Sequence, residues 1–370
     1  MAARKIKIGF DAKRLFFNNT GLGNYSRNLV SSLNEFFPEF EIHLFTPRIV
    51  QNKTTQIFLE GDYKVHTCPW YLPSRIWRSW LVSNQINALN LDIFHGLSQE
   101  IPHGITSKTK TIVSIHDLIA NLHPELFKSF DAFIYQRKVK SACQRANAIL
   151  AISQNTKRDI QSQYAIDEKK ISVIYQSCDS IFQETPVNKE GVGTYFLFVG
   201  SIIERKGLMD IVEAYHLSTV DLPVTIVIGE GLSYFDRVKQ MVSSYGLEDK
   251  FKFLGSIENK ELVQYYDDAI ALILPSLYEG FGIPIIEALF RKCPVICYST
   301  SSLPEAGNGG AMLVPAKDIV ALQMAMIAIQ ERSLNQTLAA EGHEYVIKKF
   351  SMSTATQALA HFYKKVLNNE

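Results

Sequence analysis

Glu279 and Glu287 stand with seven residues between them in the segment SLYEGFGIPIIEAL, residues 276–289. The gap holds Gly280, Gly282 and Pro284 and then turns apolar. Pro284 suits the first turn of a helix, where its missing N–H is no loss. That leaves Glu279 in a loop and Glu287 about one turn into the helix. Gly280 and Gly282 let a ligand approach the backbone closely. The free N–H groups at such a helix start favour an anion, for example a phosphate. A carboxylate repels phosphate but accepts hydrogen bonds from hydroxyls. The set fits a ligand with phosphates in the middle and hydroxyl-rich groups at both ends, as in a sugar nucleotide. The blander reading, in which Glu287 merely complements the helix dipole, accounts for one acid and not for the whole string.

Three further stretches carry groups of the same kind. In FVGSIIERKGLMDIVEAY, residues 198–215, a strand pattern ends at Gly200 and Ser201 and a helix pattern begins near Gly207. Arg205 and Lys206 stand just before that helix, where two cations are unfavourable unless an anion joins them. A diphosphate would do so; a solvated charge pair is the plainer alternative. In DAKRLFFNNTGLGNYSRNLV, residues 11–30, Gly21 and Gly23 open the first helix pattern after the first strand. The third position of a dinucleotide fingerprint is Ser26, and the next strand, EIHLFTP, ends without a ribose-binding acid, which counts against NAD. The loop remains a place where a phosphorylated group or a second substrate approaches. In TIVSIHDLI, residues 111–119, His116 and Asp117 end a strand, and the histidine could bind a sugar hydroxyl or a phosphate or be structural. His95 in LDIFHGLS occupies a similar strand end and ranks below it. No Asp-x-Asp or His/Asp cluster follows a strand, so neither a metal nor another cofactor is expected.

Such residues need elements to hold them. A chain of 370 residues exceeds one comfortable core, so two domains are expected. Short β-branched and aromatic runs alternate with longer amphipathic stretches. In the first half these runs are KIKIGFD, EIHLFTP, LDIFHG, TIVSIHD, AILAIS and ISVIYQ; in the second they are TYFLFVGS, PVTIVIGE, FKFLGSI, AIALILPS, PVICYS and AMLVPA. Most are apolar throughout, as strands buried on both faces of a parallel sheet are. After Gly23, Leu29, Val30, Leu33 and Phe37 fall on one helical face. Strand–helix alternation repeated twice predicts two doubly wound α/β domains, residues 1–185 and 190–350. The polar stretch QETPVNKEGVGT, residues 183–194, reads as the linker between them. Ligands of these sheets bind beyond the carboxyl ends of the strands, so a cleft between two such domains is the expected site.

Composition excludes several classes. The chain is 46% hydrophobic and 20% charged, an ordinary globular balance, and no apolar run approaches a membrane span. MAARKIKIGFDAK runs straight into a strand with no signal-peptide core, and five scattered cysteines lack metal-ligand spacing. Reduced thiols in a cytoplasmic protein are expected. Net charge is +1, but residues 1–185 carry 22 Lys/Arg against 16 Asp/Glu and the remainder 16 against 21. A basic first half hints at an anionic partner. Dispersed charge without a basic stripe leaves a nucleic-acid reader unsupported.

Together these pieces resemble the retaining GT-B glycosyltransferases of family 4, the glycosyl transferases group 1 of the E-x7-E type. The motif reads EGFGIPIIE here. DAKRLFFNNTGLGNYSRNL, SIHDLI, AISQNTKRDI, VGSIIERKG, FLGSIENKELVQYYDDA and STSSLPEAGNGGAMLVPAKD occur around it in the family's order and spacing. The similarity runs over nearly all of the chain and is strongest to transferases of bacterial surface polysaccharide assembly. It implies transfer of a hexose from a nucleotide-diphosphate sugar (GDP-mannose, dTDP-rhamnose or UDP-hexose) to a glycan or lipid-linked acceptor, with retention and without metal. It implies that Glu279 contacts donor-sugar hydroxyls, that the backbone of Phe281, Gly282 and Ile283 holds sugar and diphosphate, and that Glu287 binds the ribose. Arg205 and Lys206 would neutralise the leaving diphosphate, with Gly21 and Gly23 beside it and His116 beside the donor sugar. On this basis Glu279, His116 and Lys206 are the candidate catalytic residues. Many relatives carry an arginine directly after the strand glycine, where Ser201 stands; Arg205 is placed to compensate. Met352 stands where relatives often carry tryptophan. The final segment, residues 351–370, would cross back onto the first domain.

Competing readings are a GT-B epimerase or phosphorylase, or a non-catalytic sugar-nucleotide-binding partner of another transferase. The phosphorylase would need a pyridoxal phosphate lysine that nothing marks. PWYLPSRIWRSWL, residues 69–81, and FIYQRKVKSACQRA, residues 133–146, mix aromatics with cations. They suggest peripheral contact of the first domain with an anionic membrane, or else a core-facing helix with solvated arginines.

Overall fold

The computed structural model describes residues 4–18, 20–186 and 191–368. The chain divides into two compact units: residues up to Ser177 together with those from Met352 onward, and Cys178–Ser351.

The first unit is built on seven parallel strands: β1 (Ile6–Asp11), β2 (Phe40–Thr46), β3 (Lys64–Thr67), β4 (Ile93–Gly96), β5 (Lys110–Ile115), β6 (Ala148–Ala151) and β7 (Ile171–Val173). Their order is β3-β2-β1-β4-β5-β6-β7. Ile8 lies opposite Ile42 on one side and Ile93 on the other, and all three side chains are buried. The second unit has six: β8 (Tyr195–Val199), β9 (Thr225–Ile228), β10 (Phe251–Gly255), β11 (Ala269–Leu274), β12 (Val295–Tyr298) and β13 (Ala311–Val314). Their order, β10-β9-β8-β11-β12-β13, repeats the winding of the first sheet. Each sheet reverses direction of growth once, between β1 and β4 and between β8 and β11. Crevices at such reversals are where doubly wound sheets bind ligands.

Every run read as a strand in the sequence is one. β3 was not among them: its sequence, KVHT, has two exposed ends and a single aliphatic side chain, so it carries no hydrophobic run at an edge position.

The division of the chain falls earlier than the polar stretch 183–194, of which residues 187–190 lie outside the described residues. Residues 178–186 belong with the second unit because Phe182 is fully buried edge-on against Tyr266, and Arg291 Nη1 donates to the carbonyl of Glu184 at 2.7 Å. One buried aromatic outweighs the polar average of its neighbours. The last helix, Met352–Asn368, belongs to the first unit, where Tyr363 reaches His95 Nδ1 at 2.7 Å. Five cysteines are free thiols, four of them buried. Among the described residues no helix is long and apolar enough to cross a membrane, and no group of His, Cys, Asp and Glu is placed to hold a metal ion.

Candidate active site

The loops after β8 and β11 meet at the reversal point of the second sheet. After β8 the chain passes Gly200, makes a 3-10 turn at Glu204–Lys206, and enters the helix Leu208–Leu217 through Gly207. Gly207 has φ +71, and a Cβ there would lie 2.3 Å from the carbonyl oxygen of Pro275, just past β11. Only glycine permits that approach. The loops are then stitched by Leu277 N–H to the Arg205 carbonyl at 2.8 Å and by Arg205 Nη1 to the Tyr278 carbonyl at 2.7 Å.

This closeness delivers Glu279 to the two cations. Its Oε1 pairs with Arg205 Nη1 at 3.0 Å and with Lys206 Nζ. The anion that the pair at a helix start demands is therefore supplied by the chain itself. Burial of the Glu279 carboxyl opposes its ionisation, but Lys206 and then Arg205 outweigh this and hold it below the usual carboxylate range. Lys206 is buried, its ammonium lying beside Gly200.

Phe281 is buried edge-on against Phe350, and Gly282 caps the helix Ile283–Phe290 with φ +111, a value that favours glycine. Pro284 sits in the first turn, and Ile283 opens the helix, where backbone N–H groups have no helical acceptor. Glu287 faces the helix Asn259–Asp268, whose Tyr266 hydroxyl donates to Oε2 at 3.0 Å. Burial pushes the Glu287 carboxyl up to about 7; the tyrosine pulls it partly back and Asp179 adds repulsion. The two acids are thus unlike: one fixed as a carboxylate by cations, the other poised near neutrality.

Gly21, Gly23 and His116 lie in the first unit. Gly21 opens the helix Gly21–Phe36 with free space where a Cβ would point. Gly23 has none: a Cβ would lie 1.7 Å from the Asn18 carbonyl oxygen, and its N–H is taken by Asn18 Oδ1 and the Thr20 carbonyl. His116 is buried edge-on to Tyr25, and its Nε2–H donates to the Leu97 carbonyl at 2.8 Å. Burial lowers its pKa to about 4, offset in part by that bond and aided by Arg14. The neutral ring then carries its lone pair on Nδ1, an acceptor for a hydroxyl. His95 is fully committed, to Tyr363 and to Ser114 Oγ.

Two family descriptions divide the chain between them: Glycosyltransferase Family 4 over residues 19–180 and Glycosyl transferases group 1 over residues 179–349. The chain belongs to the group 1, family 4 glycosyltransferases. This transferase is 28% identical over 329 residues to the O-antigen chain mannosyltransferase RfbU of Salmonella typhimurium, covering 86% of this chain and 89% of that protein. It is 23% identical to the O-antigen chain mannosyltransferase B of Escherichia coli, over 97% and 100% of the two chains. Anabaena HepE, solved in complex with UDP-glucose, superposes with a TM-score of 0.76 at 17% identity over 97% of this chain and all of that one. The GT-B fold is shared with such structures.

The sequence reading of the transferase missed the residues that hold the Glu279 loop. Ser301, at φ +46, accepts the Glu279 N–H on its Oγ at 2.9 Å. The buried Ser302 hydroxyl lies 2.9 Å from the carbonyls of both Glu279 and Phe281. The run STSS had no spacing to mark it, since its partners are more than twenty residues away. Tyr266 was missed for the same reason. Arg78, read with its neighbours as facing either an anionic membrane or solvent, is instead clamped by Asp11 and Glu100. In the same segment Trp77 is buried, while Trp70, Tyr71 and Trp80 are exposed.

Proposed function

We propose that the protein is a retaining hexosyltransferase that uses a nucleotide-diphosphate sugar, of the mannose type, to extend a glycan or lipid-linked acceptor without a metal ion. The observation that carries this is the joint of Arg205, Lys206 and Glu279 beside the start of the helix Ile283–Phe290. Two cations and helix N–H groups receive the diphosphate; Glu279 and Glu287 accept hydrogen bonds from sugar and ribose hydroxyls. The mannosyl preference rests on the names of the curated relatives.

In the transfer the bond from the anomeric carbon to the phosphate oxygen breaks and a bond to the acceptor oxygen forms on the same face. The acceptor's proton passes to the departing phosphate oxygen. Arg205 and Lys206 stabilise the charge that develops there, an electrostatic role that a metal would otherwise fill. Glu279 moves from a cation-bound carboxylate to an acceptor for sugar hydroxyls. His116, neutral at physiological pH, contributes an acceptor at Nδ1 rather than a proton.

The deciding experiment is a panel of nucleotide sugars read by thermal shift, followed by transfer in excess EDTA with the new anomeric proton tracked by NMR. Stabilisation by GDP-mannose and a product of retained configuration are expected. An inverted product, or activity that returns only with magnesium, would overturn the reading. Consumption of donor at the same rate without acceptor would indicate an epimerase or hydrolase.

Membrane contact and a cytoplasmic setting form part of the proposal. Trp70, Tyr71, Phe130 and Phe133 are exposed in the basic first unit, a mixture suited to an anionic bilayer surface. Flotation with phosphatidylglycerol liposomes, and none with phosphatidylcholine, is expected; no lipid dependence removes this part.

A further inference from the structure

The reversal point of the first sheet has its own furnished hollow. Asp11, the last residue of β1, and Glu100, in the loop after β4, both bind Arg78: Nη2 reaches Asp11 Oδ2 at 2.6 Å and Nη1 reaches Glu100 Oε2 at 2.6 Å. Arg78 comes from Trp77–Leu81, a turn wound as a π-helix and anchored by the buried Trp77. Such turns are rare and concentrate at functional sites.

Two adjoining cavities open on either side of this clamp, of about 290 and 370 Å³, sharing Arg78, Ser79, Glu100 and Lys138 as walls. They differ in character. The larger is lined by Lys13, Arg48, Arg75, Arg78 and Lys138, with Glu100 as the acid among the described residues around it. Since Glu100 already binds Arg78 and lies 3.5 Å from Lys138, positive charge is left over. Burial, then Arg78 and Arg14, lower the Lys13 pKa, and Glu100 and Asp11 offset this in part. The smaller cavity is bordered by Trp80, 57% exposed, with the His103 ring stacked on it at 4.2 Å and 13°. Ser141 and Arg145 also line it. A flat aromatic face with polar groups at its edge suits the C–H face of a sugar ring.

We propose that the first unit binds a saccharide bearing a phosphoryl or diphosphoryl group, the charge seated among Lys13, Arg48 and Arg75 and the sugar ring against Trp80. Several separate cations around one cavity call for a multiply charged anion, which a phosphate is and a single carboxylate is not. The two cavities together have room for both parts, within the usual range of ligand sites. That this saccharide is the acceptor rests on the transferase reading above; its binding does not.

Titration calorimetry on the full chain with mannose 1-phosphate, methyl mannoside and inorganic phosphate tests this directly. GDP binding is measured separately, so loss of the donor site and loss of this one are told apart. Mannose 1-phosphate should bind at least tenfold more tightly than methyl mannoside and should not be displaced by saturating GDP. The double variant K13Q/R75Q should weaken mannose 1-phosphate at least tenfold, with R48Q as a second probe should the double variant not fold. W80A should weaken mannose 1-phosphate severalfold and leave inorganic phosphate unchanged. Equal binding of charged and neutral sugars, displacement by GDP, or binding indifferent to K13Q/R75Q and R48Q would each overturn the proposal. Displacement by phosphatidylglycerol vesicles as effective as by mannose 1-phosphate would also overturn it, marking a lipid-headgroup surface instead.

Discussion

The two sheets are wound alike, yet the buried groups that lack a counter-ion, His95 and His116 in the first unit and Glu287 in the second, respond to pH in opposite directions. In the first unit His95 and His116 are buried and neutral, their pKa values lowered by burial to about 3 and about 4. Unfolded, both would titrate near 6.5, so the unfolded chain binds more protons as pH falls below that value. The first unit loses stability from about pH 6.5 downward. In the second unit burial raises Glu287 to about 7 from an ordinary 4.5, so the folded chain holds the extra proton. Its stabilisation is complete below pH 4.5 and is lost as pH rises to about 7. The two units teach that equal topology does not fix the chemistry at equal positions. A buried imidazole and a buried carboxyl without a counter-ion both discard their charge, whereas Glu279 keeps its own beside Arg205 and Lys206; the sign of the pH response follows from which form is neutral.

The largest effect that would test this contrast is at the Asp11–Arg78 pair, where both side chains are mostly buried. Asp11→Ala leaves a guanidinium short of its partner and should cost about 3–5 kcal/mol of first-unit stability. Hydrogen exchange resolved by unit should show the loss there and leave GDP affinity intact. A matching loss in the second unit would mean that the two do not unfold separately.

Next in size is Glu287→Gln. The displacement from 4.5 to about 7 corresponds to roughly 3 kcal/mol, which the wild-type second unit forgoes above pH 7. The variant should be more stable at pH 8 by up to that amount and no different at pH 4.5. Because ribose hydroxyls bind the ionised carboxylate, wild-type GDP affinity should rise about tenfold from pH 6 to pH 8 beyond any rise seen in Glu287→Gln. Parallel pH profiles for the two proteins would remove Glu287 from the ribose.

Lys206→Ala should weaken GDP about ten- to a hundredfold, the worth of one charge-assisted hydrogen bond at roughly 1.5–3 kcal/mol. Unchanged affinity would leave the lysine as nothing more than the counter-ion of Glu279.

The smallest expected change is Glu279→Gln on the bare nucleoside diphosphate. Removing the carboxylate frees Arg205 and Lys206, so GDP should bind as well as before or a few-fold more tightly, while transfer from the intact donor falls. If Glu279→Gln weakened GDP as much as Glu287→Gln, the two acids would not divide sugar and ribose between them.

Much of this site was legible because its rules are local. Pro284 and Gly282 mark a helix start whatever surrounds them, and Arg205 and Lys206 ahead of Gly207 announce a missing anion. What the local rules could not give was the identity of that anion. Glu279 lies 73 positions beyond Lys206 and reaches it because β8 and β11 are neighbours in the sheet. Ser302, Tyr266 and the Asp11–Arg78 clamp escaped for the same reason. Gly23 has a further reason to be glycine that spacing did not reveal: a Cβ there would meet the Asn18 carbonyl oxygen.

The sequence by itself determined every strand but the edge strand β3, the double winding and the group 1, family 4 resemblance, because buried parallel strands need unbroken apolar runs and helix starts need particular residues. The tertiary structure decided which charges meet, where the chain passes from one unit to the next, and which acid keeps its proton. Those depend on burial and on distances between segments far apart in the chain, and neither is written in residue type or spacing.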